Sequence, residues 1–180
     1  MSHGTLPNVF NDIWNELLTY KSNRPDLLEK LKGPADGILN KIETDARGNI
    51  VMKAEDICPF TILYLCFKNK CKKQRELALQ DLCKILGIPT PSKADLQTLP
   101  TWEKSWTKDA HGADFYLVKP TNIDLSWELF EVAIDLANGN SSRKPDFDKA
   151  FDSLLKNVRN AEGVNKDTIS AALCFLRPDF

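Results

Sequence analysis

Apolar residues recur at spacings of three and four along much of the chain, the period of a helix that packs one side against a core. Phe10, Ile13, Trp14, Leu17 and Leu18 predict an amphipathic helix over Asn8 to Lys21, with Trp14 as a core anchor. Pro25 suits the first turn of a second helix, which carries Leu27, Leu28 and Leu31 and closes at Gly33, before Pro34 forces a break. A short helical piece over Ala35 to Ile42 is interrupted by Gly37; the turn residues Arg47-Gly48-Asn49 then precede a brief extended segment over Ile50 to Lys53.

The middle of the chain is organised around Ala54 to Arg75. Asp56 stands just ahead of Pro59, where an acid favours a helix N-terminus. Phe60, Ile62, Leu63, Leu65, Cys66 and Phe67 then cover nearly every helical face, the pattern of a buried helix. Five of the eight residues from Lys68 to Arg75 are basic and predict a charged, exposed exit. Helical spacing resumes with Leu77, Leu79, Leu82, Cys83, Ile85 and Leu86 and stops at Gly87. Ile88 to Thr121 reads as a long irregular connection with four prolines, yet it holds Trp102, Trp106, Phe115 and Tyr116, and Asp114 to Lys119 suits a short strand.

Ile123, Trp127, Phe130, Ile134 and Ala137 mark a helix capped by Thr121 or Asn122 and released at Gly139. Asn138 to Pro145 has the composition of a surface loop. Phe147, Ala150, Phe151, Leu154, Leu155 and Val158 mark another helix, and a last one starts near Asn165 to Thr168 and ends at Arg177-Pro178. The expectation is one mainly α globular domain over residues 1–180, of about seven helices with minor short extended segments.

Composition narrows the function classes. At 180 residues and 42% hydrophobic, the chain can bury a real core. Its 24 basic and 25 acidic residues leave a net charge of −1, so a nucleic-acid surface would have to be a local patch. The longest apolar block, near Ile62 to Phe67, falls far short of the about 20 residues of a membrane span. Met1 to Pro7 lacks the basic start and apolar centre of a secretion signal, so the expected location is the cytoplasm and no membrane partner is expected. The odd count of five cysteines suits reduced, buried thiols, and the spacings of Cys58, Cys66, Cys71 and Cys83 do not match paired zinc ligands.

No pattern supports catalysis. His111 is the one interior histidine, in His111-Gly112-Ala113-Asp114, and it suits a loop base or, more commonly, an ordinary exposed histidine. Asp109, Asp114 and Lys119 supply the residue types of a metal-dependent nuclease within one loop, but no strand framework converges them. The eight glycines stand singly and form no phosphate-cradling loop. The expectation is therefore no enzyme, no catalytic residue, no metal site and no cofactor in this chain.

Binding has two candidate elements, each with two readings. Lys70, Lys72, Lys73 and Arg75, beside a helix end, suit phosphate contacts, or they form a solvated exit from a buried helix. Trp102 and Trp106, near Lys104 and Lys108, suit stacking on an extruded or single-stranded base, or they pin the loop to the core.

Five segments in order also carry a likeness: Leu17 to Arg24 (LLTYKSNR), Glu55 to Thr61 (EDICPFT), Leu86 to Pro89 (LGIP), Trp127 to Phe130 (WELF), and Asn165 through Arg177-Pro178. Together they resemble the N-terminal region of methylcytosine-restriction (McrB-like) AAA+ proteins of bacteria. Lys68-Asn69-Lys70 keeps that family's asparagine but not the arginine after it, and Asn165 is followed by Lys166-Asp167-Thr168 instead of Ile-Thr. Trp102 and Trp106 echo the family's central aromatic pair in part. The resemblance implies a non-enzymatic front module without the motor, with a role in recognising invading, often modified, duplex DNA in defence. It further implies a downstream AAA+ motor domain and a separate nuclease subunit as partners, and the end at Phe180 fits a module continued by such a motor. The alternative is an assembly module of the same system that holds a partner and makes no DNA contact.

Overall fold

The computed structural model describes residues 8–32, 53–59, 62, 72–92, 120–158 and 173. Among them are five α-helices and two 3-10 turns, and no strand. The helices are α1 (Asn8–Thr19), α2 (Arg24–Lys32), α3 (Lys72–Leu86), α4 (Pro120–Ala137) and α5 (Lys144–Val158); the 3-10 turns are Ala54–Asp56 and Ser141–Arg143. The protein is thus mainly helical as its periodicity predicts, with five described helices in place of about seven. The expected pieces over 35–42 and 165–176, most of the buried helix after Pro59, and the strand at 114–119 fall wholly or largely outside the described residues. Lys53, the described end of the expected extended segment, has no regular structure.

α1 presents Ile13, Trp14 and Leu17 to the core and ends in a tightened turn, where Tyr20 N–H donates to the Leu17 carbonyl and Lys21 N–H to that of Leu18. α2 follows at once. Pro25 sits in its first turn, Asp26 complements the positive helix end, and Leu27, Leu28 and Leu31 are buried. α3 buries Ala78, Leu79, Leu82, Cys83 and Leu86, a stripe at helical spacing.

α3 and α4 end alike, through glycines that the sequence marks as stops. Gly87 (φ +74°) donates its N–H to the Lys84 carbonyl while Ile88 N–H reaches back to Cys83, at 3.2 and 3.0 Å. Gly139 (φ +92°) and Asn140 repeat the pattern on Leu136 and Asp135. In each case two orphan carbonyls of the last turn are satisfied, and the left-handed backbone that this requires favours glycine.

α4 is the hub. It packs against α5, α1 and the turn Ala54–Asp56, while α3 packs on α1 and α2. Ile123, Trp127, Leu129 and Phe130 are all within 1% of full burial, and Phe130 meets Trp14 edge-on at 5.6 Å. Trp127 Nε1 donates to the Ile57 carbonyl at 2.9 Å, so the one polar atom of this buried ring is matched to a buried backbone acceptor. Buried residues from all five helices, with Ile57, Cys58, Ile62 and Leu173, form one hydrophobic cluster.

Two boundaries differ from the pattern-based expectation. Thr121 and Asn122, expected as caps, lie inside α4, which opens with Pro120, a residue whose missing N–H costs nothing in a first turn. The expected loop over 138–145 is instead a turn, a 3-10 segment and the start of α5. Arg143 organises it: its Nε donates to Asp135 at 3.0 Å and its Nη1 to Asp146, joining the end of α4 to the start of α5.

Candidate functional site

α3 opens on the sequence Lys72-Lys73-Gln74-Arg75, so the second half of the basic run is the first turn of a helix. The periodic apolar residues begin only at Leu77, which hides this start from a pattern search. No acid lies in that first turn. The positive end of the helix dipole thus coincides with a basic stretch of the sequence. Lys73 is exposed and makes no ion pair with a described residue. One turn further on Leu77 is 49% exposed, the one large hydrophobic so placed among the described residues. Lys72 and Arg75 share the turn with Lys73. Lys70, Trp102 and Trp106 lie outside the described residues.

The opposite charge collects on α4. Asp124, Glu128, Glu131 and Asp135 follow one another at spacings of four, three and four, which sets four carboxylates along one helical stripe. Three are matched by cations from other elements. Arg24 Nη2 pairs with Asp124, Lys21 Nζ with Glu131, and Arg143 Nε with Asp135. Arg24 Nε also donates to the Lys21 carbonyl, which fixes the turn that carries both cations. Glu128 has no ion partner among the described residues. It lines an open groove of about 290 Å³ between α4 and α5, with Glu131 and Val132 on one wall and Asp146, Lys149, Ala150 and Ser153 on the other.

Cys58 and Cys83 are buried and form no disulfide, as their apolar surroundings predict. Burial pushes the Cys83 thiol up to about 11, helped by the Asp12 carboxylate on α1, which keeps it protonated and unreactive at neutral pH. Among the described residues no three His, Cys, Asp or Glu side chains gather to hold a metal ion. His111, Asp109, Asp114 and Lys119 lie outside those residues. No helix among the described residues is long and apolar enough to cross a membrane.

The structure gives a packing role to four of the five segments that carry the sequence resemblance. In LLTYKSNR, Leu17 and Tyr20 are buried, the Tyr20 hydroxyl accepts from Lys30, and Lys21 and Arg24 lock onto α4. That hydrogen bond raises the Lys30 ammonium above its usual range. EDICPFT and WELF meet where Trp127 donates to Ile57. LGIP is the end of α3, with Gly87 left-handed and Ile88 packed against the core. The contacts that join these segments to α4 are not visible in the sequence because each links residues 70 to 110 positions apart.

No curated protein and no solved structure matches the chain. One family model does match, and it spans residues 7–180, taking in every described helix and the core that unites them. Its description is a domain of unknown function, and on that match the chain belongs to the DUF8425 family.

Proposed function

We propose that this domain is a non-enzymatic DNA-recognition module of a modification-dependent restriction system in foreign-DNA defence, acting with an AAA+ motor and a separate nuclease subunit. The observation that carries the reading is the basic first turn of α3, where Lys72, Lys73 and Arg75 coincide with the positive end of a 15-residue helix and no acid lies within that turn. The sequence resemblance to McrB-like proteins supplies the system; the helix end supplies the phosphate chemistry. Trp102 and Trp106 are the proposed base contacts, and Lys70 extends the phosphate contacts along the chain.

A charge balance near zero overall suits this assignment only as a local patch, and the cations beside the α4 stripe (Lys21, Arg24 and Arg143) are already paired with its carboxylates. DNA therefore approaches the α3 end and not the α4 face. The test is fluorescence anisotropy of the whole chain with labelled duplexes, with and without modified cytosine, over a salt series. The reading requires binding that strengthens as salt falls. Preference for the modified duplex assigns the recognition step to this module; equal affinity confines it to backbone contacts. No binding at the lowest salt overturns the DNA reading and leaves an assembly module that docks a partner subunit. Cleavage of the duplex on adding magnesium or manganese would overturn the non-enzymatic assignment.

A further inference from the structure

We draw no further inference here: the strongest candidate, the groove between α4 and α5 lined by Glu128, Glu131, Arg143, Asp146 and Lys149, is a solvent-open cleft of mixed charge in which Glu131, Arg143 and Asp146 are already ion-paired, and nothing in the structure selects an occupant for it.

Discussion

Trp127→Phe tests the join between α4 and the segment around Ile57. Both residues are fully buried, and the indole Nε1 donates to the Ile57 carbonyl at 2.9 Å. Phenylalanine keeps an aromatic ring but removes the donor. Removing the donor leaves a buried carbonyl without a partner, which costs about 2 kcal/mol. The smaller ring leaves a void of roughly 40 Å³, which at about 24 cal/mol per Å³ costs a further ~1 kcal/mol. The expected destabilisation is therefore about 3 kcal/mol, or a fall in Tm of roughly 6–12 °C for a chain of this size. Urea unfolding followed by far-UV circular dichroism reads it without relying on the fluorescence of the replaced residue. The midpoint should drop with an unchanged m-value. A loss under about 1 kcal/mol would refute the reasoning, since it would mean that the carbonyl finds another donor or that the segment is not held by this contact.

Three further outcomes follow from the same structure. Gly87→Ala and Gly139→Ala should each cost about 1 kcal/mol in urea unfolding, because an added Cβ meets open space and only the left-handed backbone is penalised; a cost near zero would contradict the turn geometry. Arg143→Ala should cost no more than about 1 kcal/mol, since both its ion pairs are partly exposed, and the loss should shrink in high salt; a loss of several kcal/mol would show that the 3-10 segment depends on Arg143 for more than charge. For Cys83 the folded thiol sits at about 11 against 9.0 for a free one, so the native state holds its proton longer than the unfolded chain. The contribution is complete below pH about 9 and is lost as pH rises through about 11, so stability should fall more steeply over that window than in Cys83→Ala. Parallel slopes for the two proteins would refute the burial of this thiol.

Much of the helical layout is legible from spacing. Ile13, Trp14 and Leu17, or Ile123, Trp127, Phe130 and Ile134, repeat at three and four, and each set is buried as the period requires. Gly87 and Gly139 mark helix ends for a local reason, the need for positive φ, that a residue type can signal on its own. The start of α3 is not legible in the same way. Its first turn is polar, so no apolar period announces it, and only the good helix propensity of Lys, Gln and Arg speaks for it.

The linker before α5 is largely exposed as its composition predicts, yet it is shorter and more ordered than a plain loop. Asn, Gly and Ser cluster there, but Arg143 satisfies two carboxylates and Pro145 is harmless in a first turn, so the chain winds instead. Four acids at helical spacing on α4 are visible in the sequence; that Lys21, Arg24 and Arg143 neutralise three of them is a matter of tertiary placement. The same holds for Trp127 and Ile57. Four of the five resembling segments pack into the core, which their sequence alone does not show. Of the candidate site, the cations of α3 are legible by composition, while their coincidence with a helix N-terminus is not.

The central proposal is that the first turn of α3 holds phosphates, and the salt dependence of binding in a charge-reversed variant tests it most directly. The measurement compares the wild-type chain with Lys72→Glu/Lys73→Glu on one duplex, from about 25 to about 200 mM salt, with circular dichroism confirming that both are folded. Each phosphate contact contributes about 0.9 to the slope of log affinity against log salt, so the double variant should bind more weakly at every salt and show a slope flatter by roughly two. Equal affinity and an equal slope in the two proteins would contradict the account.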